Sequence, residues 1–290
     1  MTSTNDKQVM PSRYKMDQKE RGIALIINIY KYDDPNPFEL EERKWSHSDV
    51  ESLTKTLQYL EFDVELGQNL TKSEIEERLR EIAEVFIHRH YDCFLCVVMS
   101  HGNEDKIVTR DSKKMSFEEI MAPIKACSSL LKKPKMFFFQ ACRGKKEMET
   151  TQMNSNAMSS ASSIQTSMFP KVLKILQPIE TDSVTFNDAE KVATNFDEES
   201  DLLVFYSTLP DHYSYAYSHN VADGTTFIQS FCQVFNDAYK NLPNNLSLTQ
   251  MILRINEKVS NKRMQISVPE LRMTKEIYFW PKDVSNLIIF

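Results

Sequence analysis

The sequence lacks a long hydrophobic run and an excess of positive charge, and each absence argues against a class of protein. Its 290 residues contain no apolar run of the roughly 18 residues that a membrane-spanning helix needs. Lysine and arginine number 35 against 41 aspartates and glutamates, and this net charge of −6 argues against nucleic acid or an anionic membrane as the main partner. The remaining composition, 41% hydrophobic and 26% charged, is typical of a globular chain with one large α/β domain or two small ones.

Cysteines are also few, and their number is odd: five in the whole chain. No secretory signal is recognisable in the opening stretch MTSTNDKQVMPSRYKMDQKERG. An odd, scattered set of cysteines without such a signal indicates free thiols in a reducing compartment. We therefore expect a cytoplasmic protein.

Short apolar runs alternate with helix-start signals along the first half of the chain. The runs that predict buried strands are Gly22–Ile29, Phe62–Leu66, Cys93–Met99 and Met136–Phe139. The capping boxes that predict helix starts are Ser48/Glu51, Thr71/Glu74 and Ser116/Glu119. The apolar helical faces after the first two boxes are Val50, Leu53, Leu57 and Leu60, and Ile75, Leu79, Ile82 and Val85. This alternation predicts an α/β fold, a mainly parallel sheet with helices on both faces in a three-layer sandwich.

Two reactive side chains follow neighbouring predicted strands. His101 comes directly after the third strand and Cys142 directly after the fourth. Since chemistry collects at the carboxyl ends of parallel strands, we expect an imidazole and a thiol close enough for nucleophilic catalysis. Gly102 and Gly144 beside them leave backbone free to approach a substrate carbonyl. Taken singly, such a cysteine is more often a small buried hydrophobe, and such a histidine an ordinary loop residue.

The residues around this pair resemble a known family. QACRG (140–144), with SHG (100–102) upstream, is similar to the signature of the caspases, a family of cysteine endopeptidases. The resemblance continues through YKMD (14–17), FYSTLPDHYSY (205–215), GTTFIQSFCQVF (224–235) and MTKEIYFW (273–280). It implies that Cys142 is the nucleophile, that His101 is the acid/base, and that the amides of Gly102 and Cys142 form the oxyanion hole. It also implies a six-stranded mainly parallel sheet, a dimer of two large and two small subunits, and neither cofactor nor metal.

The resemblance implies a division of the chain into subunits. We expect a short leader at 1–21, a large-subunit part at 22–147, an inter-subunit linker at 148–198 and a small-subunit part at 199–290. Residues 148–167 are rich in Ser, Asn, Thr and Met and predict a flexible loop. IETD (179–182) resembles an inter-subunit processing site, which predicts a cut after Asp182, and YKMD predicts a second cut after Asp17. The short leader leaves no room for a death-fold recruitment domain, so the resemblance is to executioner rather than initiator caspases.

The specificity pocket departs from the family pattern. Caspases bind the aspartate before the cut with one glutamine and two arginines, and Gln140 provides the glutamine. Trp45 and Ala216 stand where the arginines are expected, the latter after Tyr213, Ser214 and Tyr215. Two missing charge-assisted hydrogen bonds are worth about 3 to 6 kcal/mol, or roughly two to four orders of magnitude in kcat/KM. Arg43 is the alternative first pocket arginine if the loop before the helix is displaced.

Three functions therefore stay open. The first and favoured one is a decoy caspase of the cell-death pathway that cleaves little after aspartate and modulates an active executioner caspase by dimerisation. Its partners would be that relative or a second copy, together with an upstream caspase that processes it, and Val268, Met273, Ile277 and Phe279 would give the last strand an apolar interface. The second is an active cysteine endopeptidase with altered residue preference. The third takes Cys93 and Cys96 as a metal or redox motif, which a buried strand disfavours.

Overall fold

A central six-stranded sheet carries the fold in the computed structural model, which describes residues 12–18, 20–88, 91–103, 105–146, 198–214, 223–240, 246–262 and 265–280. These residues belong to one compact unit with two chain segments, Met1–Met148 and Asp197–Phe290. Within the described ranges, no helix is both long enough and apolar enough to cross a membrane.

Eleven strands and five helices are found in the described ranges. The strands are β1 (Ile23–Asn28), β2 (Asp63–Gln68), β3 (Phe94–Met99), β4 (Gly102–Asn103), β5 (Lys106–Val108), β6 (Lys114–Ser116), β7 (Lys135–Gln140), β8 (Gly144–Lys146), β9 (Leu202–Tyr206), β10 (Asp211–His212) and β11 (Val268–Arg272). The helices are α1 (Ser46–Tyr59), α2 (Lys72–His88), α3 (Phe117–Lys125), α4 (Thr226–Lys240) and α5 (Leu248–Lys262). The central sheet has the order β2-β1-β3-β7-β9-β11, and only the pair β9–β11 is antiparallel.

Helices cover both faces of this sheet. Every residue of β1, β3, β7 and β9 is buried, and successive side chains enter two separate apolar clusters. One cluster contains side chains of α1, α4 and α5, and the other contains side chains of α2 and α3. This arrangement confirms the predicted α/β class and the three layers, because strands covered on both faces are continuous apolar runs.

Two of the three predicted capping boxes are present. At Thr71/Glu74 the Thr71 N–H donates to Glu74 Oε2 at 2.7 Å, and at Ser116/Glu119 both reciprocal bonds form. The box predicted at Ser48/Glu51 is wrong, because the N-cap of α1 is Trp45, three positions before Ser48, and the helix begins at Ser46. A tertiary contact explains the earlier start: Asn28 Nδ2 donates to the buried Ser46 hydroxyl at 3.0 Å.

Some predicted apolar positions have other surroundings. Val85 is exposed on α2, and its neighbour Phe86 is buried in its place. Ile277 and Phe279, expected at a dimer surface, are buried in the chain's own core. They therefore add no apolar surface for a partner. Val268 is partly buried against the core on one sheet face, as Met273 is on the other.

The N-terminal segment packs against the body of the protein. Tyr14 N–H donates to the Glu276 carbonyl at 3.0 Å, and Tyr14 and Met16 are buried in the core. Asp17, predicted as a processing position, is exposed, and the Gln18 N–H that follows it donates to Asp92 Oδ1 at 3.1 Å. Asp182 and the rest of the predicted linker from 148 to 197 lie outside the described residues.

Candidate active site

The sheet register brings His101 and Cys142 to one place. In the parallel pair β3–β7, Met99 lies opposite Gln140. His101 comes two residues after Met99, and Cys142 comes two residues after Gln140, so both leave the sheet at the same level. Both side chains are half-buried and line a cavity of about 60 Å³. The predicted proximity of the two side chains is therefore present in the fold.

A backbone carbonyl orients the imidazole. His101 Nε2 lies 3.0 Å from the Glu41 carbonyl oxygen, which can only accept, so Nε2 carries the proton and Nδ1 is the acceptor nitrogen. Burial lowers the pKa of His101 below its ordinary value, and the Glu41 carbonyl opposes this shift only in part. The imidazole is therefore neutral at pH 7 and able to accept a proton.

The thiol is held by the polypeptide segment at Ser214. Cys142 Sγ lies 3.7 Å from the Ser214 carbonyl oxygen and accepts a hydrogen bond from the Ser214 N–H at 3.4 Å. Burial raises the pKa of Cys142, while the Ser214 N–H and the nearby Arg43 charge act in the opposite direction. The thiol is therefore protonated at neutral pH in this conformation, and the backbone of Ser214 is in contact with the sulfur.

Gly102 has no room for a side chain. A Cβ at this position would lie 2.7 Å from the Lys106 carbonyl oxygen and 2.9 Å from the Cys142 carbonyl oxygen. Distances under about 3 Å are not found for real Cβ atoms, so only glycine permits this close approach. The backbone of Gly102 thus lies against that of Cys142, the other expected oxyanion-hole residue.

Arg43 is the one arginine among the described residues that line this cavity. The side chain is 3% exposed, and its guanidinium donates to the Ile29 carbonyl at 2.9 Å. Trp45 also lines the cavity but is only half-buried. The expectation of a pocket without arginine therefore needs correction: the alternative in which Arg43 serves the pocket is the arrangement in the structure.

The glutamine of the pocket is in place. Gln140 Nε2 donates to the Ser214 hydroxyl at 2.8 Å. Its buried Oε1 has no hydrogen-bond partner among the described residues, and the same holds for the Thr225 hydroxyl, also in the cavity wall. Buried polar atoms without partners are unfavourable. Ligand or water contacts would satisfy them.

Asp49 connects the start of α1 to the pocket wall, a role that the sequence interpretation missed. Its carboxylate accepts from the Thr225 N–H at 2.9 Å and from Gln229 Nε2 at 2.8 Å. Burial raises the pKa of Asp49 to about 6 in spite of these bonds. Gly224 lies directly against it, so the segment entering α4 is fixed to α1.

The other predicted site residues have different outcomes. Ser214 contacts the sulfur and the glutamine, as described, whereas Tyr213 lies at the edge of a second cavity beside the pair. Ala216 and Tyr215 lie outside the described residues. Cys93 and Cys96 enter the two apolar clusters on opposite sheet faces, and burial raises the pKa of both thiols. In the part of the chain that the structure describes, no three His, Cys, Asp or Glu side chains form a metal-binding group.

Comparisons with known proteins agree with this geometry. The family model described as "Caspase domain" matches residues 21–278. The chain is 28% identical to caspase-6 of Mus musculus over 284 residues (93% of this chain, 92% of the relative). It is 29% identical to caspase-3 of Mesocricetus auratus over 287 residues (93% and 88%). The crystal structure of caspase-1 from Spodoptera frugiperda has the same fold, with a TM-score of 0.69 at 22% identity, covering 96% of this chain and 99% of the other. A family match over this length, on a fold that brings the predicted thiol and imidazole into one cavity, shows that the chain belongs to the caspase family.

Proposed function

We propose that this chain is a cysteine endopeptidase that cuts after aspartate and is weak because its pocket has one arginine where active caspases have two. The observation that carries the proposal is the cavity shared by Cys142, His101, Gln140 and Arg43. A volume of about 60 Å³ suits a small side chain, and one buried cation favours a carboxylate. Because the chain belongs to the caspase family, we also propose that it acts in the cytoplasm and in programmed cell death.

The chemistry follows from the placement of the two reactive side chains. His101 Nδ1 takes the Cys142 proton, and Sγ attacks the carbonyl carbon of the scissile bond. The N–H groups of Gly102 and Cys142 donate to the oxygen that becomes negative. His101 then protonates the leaving amine, and water activated by the same nitrogen hydrolyses the thioester. Ser214 must move off the sulfur before a substrate can bind.

One absent arginine has a limited effect. A charge-assisted hydrogen bond is worth about 1.5 to 3 kcal/mol, so its loss lowers kcat/KM by roughly one to two orders of magnitude. This estimate is smaller than the one for a pocket with no arginine. Measurable cleavage after aspartate is therefore the expected behaviour.

The test is turnover by the processed protein. The chain is cut after Asp182 by an active caspase, which is then removed, and kcat/KM is measured on a fluorogenic Ile-Glu-Thr-Asp peptide. A matched Cys142→Ala preparation, cut in the same way, reports any residual activating enzyme. Cleavage that depends on Cys142 supports the proposal, and equal rates for both preparations overturn it.

A second candidate is the decoy role, which one observation favours. The strand β11 ends the central sheet, and no strand of the described chain pairs with its outer side. Leu271 on this strand is 44% exposed, although it is apolar. An open edge with exposed apolar side chains is suited to strand pairing with a second subunit, either an active executioner caspase or another copy.

The decoy role is tested without activity of this chain. The processed Cys142→Ala variant is mixed with an active executioner caspase, and the partner's kcat/KM and co-purification are measured. A changed rate that Leu271→Glu abolishes supports the role. Leu253→Glu, at an even more exposed leucine on α5, is the control and should leave the effect intact. No co-purification and no change in rate would reject it.

A further inference from the structure

A second cavity meets the first at the two reactive side chains. Its volume is about 330 Å³, and the lining residues that it shares with the smaller cavity are His101 and Cys142. The thiol and imidazole therefore lie between the two cavities. When the scissile carbonyl of a peptide reaches Sγ, the residues before the cut lie at one cavity. The residues after the cut lie at the other.

Apolar side chains form much of the wall of this second cavity. They are Phe38, Leu40, Val108 and Tyr213. Phe38 is 42% exposed, so its ring is accessible to a ligand in the cavity. Asn36 Nδ2 donates to the Leu40 carbonyl at 2.8 Å, and the next residue, Glu41, accepts from His101. The apolar wall is thus attached to the catalytic base.

One cation lies beside the apolar wall. Lys114 Nζ is 5.5 Å from the centre of the Phe38 ring, and Lys114 also lines the cavity. Lys114 forms no ion pair with any residue that the structure describes. Its charge is therefore available to a carboxylate that approaches along the cavity.

We propose that this cavity binds the substrate on the leaving-group side of the cut and prefers a large apolar residue there, followed by an acidic residue facing Lys114. The inference rests on the proposed endopeptidase function, because the Arg43 cavity is assigned to the residue before the cut. The chain's own predicted cuts after Asp182 and Asp17 are followed by Ser183 and Gln18, neither of which would fill an apolar cavity. The preferred substrates are therefore proteins other than this chain.

Quenched peptides of the form Ile-Glu-Thr-Asp-X-Z test the preference. With X as Phe or Leu, kcat/KM should be about tenfold higher than with Ser, because even partial burial of such a side chain favours the bound state. With Z as Glu, it should exceed the value with Lys, and Lys114→Glu should reverse this order. The ratio of kcat/KM for the peptide with X as Phe to that with X as Ser should fall toward one in the variant Phe38→Ser. Leu131 is an exposed apolar residue that lines neither cavity, so Leu131→Ala should leave this ratio unchanged.

Binding measurements separate this inference from the proposed activity. The affinities of the same peptides are measured on the processed Cys142→Ala variant. Tighter, Phe38-dependent binding of the Phe peptide without any cleavage by the wild type would keep the cavity assignment and reject the endopeptidase. Equal kcat/KM for all X and Z would reject the cavity assignment alone. A preference that appears only when the large residue is moved to the position before aspartate would also reject it, and absence of both binding and cleavage would reject both.

Discussion

Arg43 and Cys142 are coupled by charge as well as by a shared cavity. The guanidinium is close enough to lower the pKa of the thiol, against the larger effect of burial. The same cation lies beside Gln140, where the proposed substrate carboxylate would bind. Under the proposed function, one residue would contribute both to recognition of aspartate and to stabilisation of the thiolate.

Replacing Arg43 by glutamine should affect cleavage after aspartate more than cleavage after asparagine, its uncharged analogue. Arg43→Gln should lower kcat/KM for the Ile-Glu-Thr-Asp peptide by roughly 10- to 100-fold, because a charge-assisted hydrogen bond is lost. The matching Asn peptide should lose much less. Lys55→Gln, which removes an exposed cation on α1 outside the cavity wall, is the control. An equal loss on both peptides would show that Arg43 acts only through its bond to the Ile29 carbonyl.

The protonation state of the thiol can be measured without any substrate. In the uncut chain the iodoacetamide reaction of Cys142 should rise with pH to an inflection above the ordinary range for cysteine, since burial raises the pKa of the thiol. Arg43→Gln should move the inflection higher, because a cation that stabilises the thiolate is removed. The other four cysteines are buried, so labelling should be selective, and Cys142→Ala should abolish it. An inflection at or below neutral pH would indicate a preformed thiolate–imidazolium pair instead.

At the scale of elements, the sequence predicted correctly those strands and helix starts that depend on residues close together in the chain. The strands β1, β3 and β7 are continuous apolar runs, and the boxes that begin α2 and α3 are closed by side chains three residues apart. The start of α1 depends on a contact with Asn28 in another element, which no local pattern contains. Arg43 is held by the Ile29 carbonyl, a contact between residues 14 positions apart that no local pattern contains, so it was not the favoured prediction. Strand ends and a specific signature indicated the same two residues, Cys142 and His101, and the structure brings these side chains into one cavity.

Asp49 joins α1 to the segment before α4 across 176 positions of sequence. Its carboxyl group is buried and has a folded-state pKa of about 6, above the ordinary value of 3.8. The sign of the effect follows from this raised pKa. The stabilising contribution of Asp49 is fully present below about pH 4 and is lost as the pH rises through about 6.

Asp49→Asn should remove this part of the pH dependence. Between about pH 4 and pH 7, the free energy of unfolding of the wild type, relative to the variant, should fall by about 2 to 3 kcal/mol. Urea unfolding of both chains in a Cys142→Ala background measures it. Glu51→Gln is the matched control: this exposed carboxylate on the same helix has a pKa lowered by Lys55, so any effect should have the opposite sign. A difference that stays constant with pH would contradict the raised pKa.

For the molecule as a whole, the two predicted subunit parts are joined by the sheet itself. The strand β9 lies between β7 of the first part and β11 of the second. Glu199, near the start of the second part, forms ion pairs with Lys125 on α3 and with Arg272 on β11. A cut in the predicted linker would therefore leave the two parts assembled through strand pairing and buried apolar side chains.

The two predicted processing positions differ in what surrounds them. Cutting after Asp17 requires the preceding residues to enter a protease in extended form, but Tyr14 and Met16 are buried, and the Gln18 N–H of the bond to be cut is bound to Asp92. IETD (179–182) follows the charge-poor run that the sequence predicts to be a flexible loop. A protease that recognises both motifs should therefore cut after Asp182 first.

The first cut should also come from another enzyme. In the uncut chain, Ser214 covers a protonated thiol, and the pocket provides one arginine, so self-processing should be slow. Expressed in a host without caspases, the wild type should remain intact. Added active executioner caspase should then cut after Asp182 well before Asp17, as intact-mass analysis over time would show, and Asp182→Ala should block the first product. Spontaneous cutting in such a host, lost in Cys142→Ala, would instead mean that the chain moves Ser214 off its own thiol without help and activates itself.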